Sequence, residues 1–213
     1  MIRAIFFDFD GVLVDSEPLH FECWAEVLAE YGIRLDGDQY DAKFIGVSNQ
    51  EMIEILCREF GREYDKAFFT ECYDKKKKVY QARALSSCRT PEDLVRFIRI
   101  QSKTYRLGVV SSSSRCEVEP HLEGQGIRDA IVALVCQEDV EKLKPAPDPY
   151  LRALELVNAE RHDRVVQPQE CLVVEDSGPG AEAGRLAGMQ VVRVAGPGEV
   201  LGSVEAAIRQ TAS

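Results

Sequence analysis

Two carboxylates one residue apart, Asp8 and Asp10, directly follow the apolar run Ala4-Ile5-Phe6-Phe7. Like charges held that close are costly unless a cation or a proton is shared between them, so a positive partner is expected nearby. Three more polar groups follow apolar stretches much later in the chain: Ser111 and Ser112 after "RLGVV", Lys144 in "KPAPDPY", and Glu175-Asp176 after "CLVV". Hard oxygen ligands such as Asp8, Asp176 and a carbonyl suit Mg2+, which prefers octahedral oxygen coordination shared with phosphate and water. Lys144 balances the negative charge that remains, and the Ser111 hydroxyl with nearby amides holds a phosphoryl oxygen. Gly11 permits a tight backbone turn beside the ligand. In that setting one ionised carboxylate can attack phosphorus, while the other protonates the leaving oxygen and later deprotonates water. Its place at a strand end gives Asp8 the first role and leaves Asp10 the second.

Those groups need a scaffold that brings them together. Five apolar stretches, Ala4 to Phe7, Leu107 to Val110, Ile131 to Val135, Leu172 to Val174 and Val191 to Val194, are continuous rather than alternating, as in strands buried on both faces of a parallel sheet. Helical segments lie between the later ones. They are Arg115 to Leu122, Pro149 to Val157 with Asp148 as N-cap, and Gly180 to Ala187 stopping at Gly188. The alternation predicts an α/β core, doubly wound and Rossmann-like, whose ligand crevice lies beyond the carboxyl ends of the strands.

The gap between the first two strands is far longer than one crossover helix requires, and it reads as an inserted α-helical cap lobe at 15–83, leaving the core as 1–14 and 84–213. Leu19 to Tyr31 is one helix of the insert. Ser48-x-x-Glu51 opens another that ends before Gly61, and Asp65 to Arg83 is a third. The run Lys75 to Lys78 in that third helix is expected to be a solvated face.

Bulk properties narrow the function classes. The 213 residues include 36 acidic and 26 basic side chains, for a formal net charge of -10. Nucleic acid and anionic membrane surfaces are held by basic patches, so neither is expected as a partner. No apolar segment approaches the ~20 residues that span a bilayer, the N-terminus does not read as a signal peptide, and a cytoplasmic location is expected. Seven scattered cysteines with no C-x-x-C pair suggest reduced, mostly buried thiols rather than a zinc site or a disulfide framework. No apolar helix face demands a partner, so a monomer is plausible, and the sequence leaves the oligomeric state open.

Taken in order, Asp8-Phe9-Asp10-Gly11-Val12-Leu13-Val14-Asp15-Ser16, "RLGVVSSSS", "KPAPDPY" and "VVEDSGPGAEAGRLAGM" resemble the four motifs of the haloacid dehalogenase superfamily, in the branch with a helical cap inserted after the first motif. The resemblance implies Asp8 as nucleophile and metal ligand, and Asp10 as acid and base with its carbonyl on the metal. Ser111 and Lys144 would be phosphate ligands, and Asp176 with Glu175 the remaining metal ligands. Dehalogenase members generally lack the second aspartate, because a halide leaving group needs no proton, so Asp10 points to phosphate chemistry.

Within that branch His20, Phe21 and Trp24, followed by Gly46-Val47-Ser48, resemble the cap of the β-phosphoglucomutase group. The resemblance marks His20, Gly46 and Asn49 as cap residues facing substrate. Mutases of that group carry a lysine where this chain has Ile45 and an arginine where it has Asn49, and loss of a bidentate phosphate clamp favours simple hydrolysis. The stretch "SSCRTPEDL" also lacks the Pro-Gly usual where such chains leave the cap. The expected activity is Mg2+-dependent hydrolysis of a small phosphorylated metabolite, a sugar phosphate foremost. A phosphohexomutase is the alternative, and a non-enzymatic phospho-aspartate receiver a more distant one that would need neither Asp10 nor a large insert.

Overall fold

The computed structural model describes residues 1–44, 47–159 and 164–211. Five strands, β1 (Ala4–Phe7), β2 (Arg106–Val110), β3 (Ala133–Val135), β4 (Cys171–Glu175) and β5 (Gln190–Arg193), form one sheet in the order β3-β2-β1-β4-β5. Every pairing is parallel, with Phe7 level with Val109 on one side and Val174 on the other. The central strands are buried along their whole length, which explains why they read as unbroken apolar runs. The order reverses at β1, so the crevice of this doubly wound sheet opens beside the residues that follow Phe7.

The chain divides into two compact units, Met1–Asp15 with Cys88–Ser213, and Ser16–Ser87. The second is helical: α1 (Glu17–Ala29), α2 (Gly37–Lys43), α3 (Asn49–Glu59) and α4 (Lys66–Ser87). It encloses its own apolar core, in which Trp24, Leu28, Ile53, Leu56, Phe68 and Cys72 are buried. Ser48 caps α3 by accepting from the Glu51 N–H at 3.2 Å, as its sequence predicts. Asp36 caps α2, a short helix the apolar periodicity did not announce, through the Asp38 and Gln39 amides.

In the first unit, α5 (Glu92–Gln101), α6 (Arg115–Gly124), α7 (Asp148–Ala159), α8 (Gly178–Leu186) and α9 (Pro197–Thr211) accompany the sheet. The core cluster joins the sheet to α7 and α8: Phe6, Val110, Val135 and Val173 pack with Tyr150, Ala153, Val157 and Ala183. Asp148 is the first residue of α7 rather than its cap, because the Pro147 carbonyl already accepts from the Tyr150 and Leu151 amides. Strand β3 begins at Ala133, two residues later than the apolar run, because Arg128–Ala130 forms a 3-10 turn in which the Arg128 carbonyl accepts from the Ile131 N–H. Among the described residues no helix is long and apolar enough to cross a membrane.

Candidate active site

Strand β1 delivers Asp8 one residue past its end, where the Asp8 N–H donates to the Val174 carbonyl at 2.9 Å and keeps β1 and β4 together up to the first carboxylate. The Asp8 residue is only 7% exposed. Lys144, from the loop between β3 and α7, points its ammonium into the same space with its side chain 6% exposed. It donates to Asp8 Oδ1 at 2.5 Å, Glu175 Oε1 at 2.6 Å and the Val110 carbonyl at 2.9 Å. Three donors meet three acceptors, so the lysine is fully used.

Glu175, at the last position of β4, is completely buried. Its Oε1 also accepts from the Tyr150 hydroxyl at 2.7 Å, while Oε2 accepts from the Ser177 hydroxyl at 2.9 Å and the Ser177 N–H at 3.3 Å. Two glycines make room for the acidic pair. A Cβ at Gly180 would lie 1.9 Å from Glu175 Oε1, and one at Gly11, where φ is +76°, would lie 2.0 Å from Asp176 Oδ2.

Past β2, the Ser111 N–H donates to the Val135 carbonyl at 2.9 Å and its Oγ accepts the Ser113 N–H at 2.9 Å. The Ser113 hydroxyl then donates to Asp10 Oδ2 at 2.6 Å, which ties the second aspartate to the serine turn. Asp10 itself sits in a tight loop closed by the Leu13 and Val14 amides on the Phe9 carbonyl. Ser112 is exposed on the same turn, and Ser114 caps α6 with its N–H on Glu117 Oε2.

The electrostatics are those of a site short of positive charge. Burial raises the Asp8 carboxyl well above the usual range, and the neighbouring Glu175 and Asp10 add to it, against the pull of Lys144. Burial alone would discharge Lys144, but Asp8 and Glu175 together outweigh it and hold the ammonium above its ordinary value. Burial and the adjacent Glu175 push Asp176 up to about 6. Carboxylate oxygens of Asp8, Glu175 and Asp176 all lie within 4.8 Å of one another. A single ammonium does not balance three acids, and an all-oxygen donor set fits a hard divalent cation. The four donors on Glu175 leave Asp8 and Asp176 as the carboxylates best able to hold one.

Of the residues expected from sequence, Asp8, Lys144 and Glu175 are in direct contact, Gly11 abuts Asp176, and Asp10 reaches Ser111 through Ser113. In the helical unit His20 stacks on Tyr80 at 4.5 Å, and Asn49 Oδ1 accepts from Trp24 Nε1 at 3.0 Å. Gly46, with Ile45, lies outside the described residues. The lysine run is not uniformly solvated, because Lys76 is buried at 4% exposure with its ammonium 4.7 Å from the Tyr80 ring centre. Four-residue spacing puts it on the inner face with Cys72 and Tyr80, a signal that was present in the sequence.

Four other participants escaped sequence reasoning. Ser113 is one of four consecutive serines, and nothing local distinguishes it. Tyr150 reads as an apolar helix position, Ser177 as a turn residue, and Arg193, whose guanidinium donates to the Asp176 carbonyl, as the end of an edge strand.

The model of the family described as haloacid dehalogenase-like hydrolase matches residues 5–194. β-Phosphoglucomutase of Bacillus subtilis is 30% identical, over 99% of this chain and 90% of that protein. The phosphorylated carbohydrates phosphatase of Thermotoga maritima is 29% identical over 89% of this chain and 83% of its own. Among solved structures, CbbY from Rhodobacter sphaeroides in complex with phosphate superposes with a TM-score of 0.74 at 25% identity, covering 90% of this chain and 85% of that one. A family model spanning nearly the whole chain, on a parallel sheet whose strand ends gather Asp8, Lys144 and Glu175, makes this protein an enzyme of the haloacid dehalogenase-like hydrolase family.

Proposed function

We propose that the enzyme hydrolyses a phosphomonoester of a small phosphorylated metabolite, a sugar phosphate foremost, through an aspartyl phosphate on Asp8. A carboxylate oxygen of Asp8 forms a bond to phosphorus as the bond to the leaving oxygen breaks, and Asp10 gives that oxygen its proton. Asp10 then takes a proton from water, whose oxygen displaces the Asp8 carboxylate and releases inorganic phosphate. Asp8, Asp176 and the Asp10 carbonyl would hold Mg2+, which supplies positive charge to the phosphoryl oxygens. Lys144 supplies the second positive charge, and Glu175, clamped by Tyr150 and Ser177, keeps it aimed at Asp8. The Ser111 hydroxyl and the amides of the Ser112 turn hold a phosphoryl oxygen, with Gly11 clearing space beside it. Leaving-group choice falls to the helical unit, where His20, Asn49 and Gly46 are the proposed substrate-facing positions.

The observation that carries this reading is the buried contact of Lys144 with Asp8, 2.5 Å long, at the end of β1. A buried ion pair of this kind adds little to stability, so its presence at a strand end is better accounted for by chemistry than by folding. The chemistry named on two relatives, a sugar-phosphate mutase and a phosphatase of phosphorylated carbohydrates, supports the substrate class. Asp8→Asn should lower Mg2+-dependent turnover of p-nitrophenyl phosphate by at least about 10³-fold, and near-normal activity would refute the assignment.

The 30% identity to a β-phosphoglucomutase favours one second reading, a phosphohexomutase. Against it stands Asn49, which offers no bidentate phosphate clamp and whose side-chain oxygen is engaged by Trp24. Incubation with β-glucose 1-phosphate and a trace of the bisphosphate decides between them. Hydrolysis releases stoichiometric phosphate, whereas a mutase yields glucose 6-phosphate without it.

A further inference from the structure

We propose that the cleft between the start of α5 and the end of α6 is a binding site for a small phosphate-bearing dianion, separate from the reaction centre. The cleft measures about 480 Å³ and is lined by Arg89, Thr90, Glu92, Arg96, Arg99 and Gln125, among others. Arg99 is held in place, with Nε donating to the Gly126 carbonyl at 3.1 Å and Nη2 to the Gln125 carbonyl at 3.0 Å, just past the end of α6. Its Nη1 is left for a ligand. Arg89 and Arg96 have neither a carboxylate nor a carbonyl partner among the described residues. All three guanidinium groups are on exposed residues, open to an anion from solvent.

Glu92 is the one carboxylate of the lining, so the cleft carries a net charge of +2. That charge suits a phosphate monoester or free phosphate, and guanidinium forks match phosphate oxygens bidentately. The site also reaches the reaction centre. Thr90, which lines the cleft, is hydrogen-bonded to His121 Nε2 at 3.2 Å, and the His121 ring meets the edge of Phe9, between the two aspartates, at 5.3 Å. An occupant that draws Arg89 inward therefore bears on the segment holding Asp8 and Asp10. The inference stands independently of the proposed reaction.

Calorimetric titration with inorganic phosphate and, separately, glucose 6-phosphate tests it, in EDTA so that the acidic reaction centre competes poorly for anions. Arg89→Gln/Arg96→Gln should weaken binding about tenfold or more, with turnover of p-nitrophenyl phosphate in low phosphate unchanged. Glu92→Gln should tighten binding about threefold, and added salt should weaken it in the wild type. The tighter of the two probes tells whether the free ion or an ester is the occupant. Equal affinities in the wild type and the double variant, or no binding of either probe to the wild type, would overturn the proposal. Should the double variant fail to fold, an unchanged affinity in Glu92→Gln overturns it as well.

Discussion

Both units of this chain carry exposed ion pairs, but among the described residues only the α/β unit also buries one. In the α/β unit Lys144, Asp8 and Glu175 meet with side chains 6%, 11% and 0% exposed. In the helical unit Lys75 pairs with Glu30 and Arg83 with Glu26, with every partner about two-fifths to one-half exposed. Exposed pairs gain little over hydration, whereas buried charges pay a desolvation cost that even good geometry scarcely offsets. The helical unit is held instead by its apolar core around Trp24, Leu28 and Phe68. The contrast teaches that the costly charges stand where chemistry needs them, on a sheet already stabilised by its own apolar cluster.

Removing the buried cation should break the balance most severely. Lys144→Met leaves Asp8 and Glu175 facing each other and should cost about 3 kcal/mol at neutral pH in urea denaturation, besides abolishing turnover. The penalty should shrink in acid as the carboxyls protonate, and a pH-independent loss would contradict the electrostatic explanation.

His121 extends the comparison to a buried neutral group. Burial lowers its pKa from the ordinary 6.5 to about 4, against the pull of Asp10. Between those values the unfolded chain binds the extra proton, so stability must fall as the pH drops from 6.5 towards 4. The acid loss should exceed that of His121→Gln by on the order of 2 kcal/mol; identical profiles would mean the ring is charged in the folded protein.

A smaller effect should come from the hydroxyl that steadies Glu175. Tyr150→Phe keeps the buried ring but removes one donor, at a cost of about 1 kcal/mol. It should lower kcat more than it changes KM, because Lys144 loses its aim rather than its charge. Smallest of all, Lys75→Ala should leave the melting temperature and turnover unchanged within error, although its pairing with Glu30 and Tyr31 raises the pKa of that lysine. A clear loss in either measurement would erase the contrast between the units.

The sheet was legible because its physics is local. Residues buried on both faces must be apolar without interruption, and the run Ala4–Phe7 coincides with β1. Helices α5 and α9 were not announced, since their starts, at Pro91 and Pro197, carry no side-chain cap or lie in a Gly-Pro turn, although the spacing of Leu94, Phe97 and Ile98 in α5 was there to read. The site was half legible. Asp8 and Glu175 stand out because charge at the end of an apolar strand is unusual, and Lys144, well past the end of β3, only through the motif "KPAPDPY". Ser113, Tyr150 and Arg193 do not, because their roles depend on partners 103, 25 and 17 positions away. Lys76 was misjudged for a different reason: four adjacent lysines look alike in composition, while a helix turns each to a different face.

The most direct test of the central claim is to catch the covalent intermediate. Asp10→Asn enzyme mixed with p-nitrophenyl phosphate and Mg2+, quenched in acid within one turnover and digested, should yield a peptide phosphorylated at Asp8, because that leaving group departs without a proton while the water step is slowed. Phosphate release under the same conditions with Asp8 never modified would contradict the account.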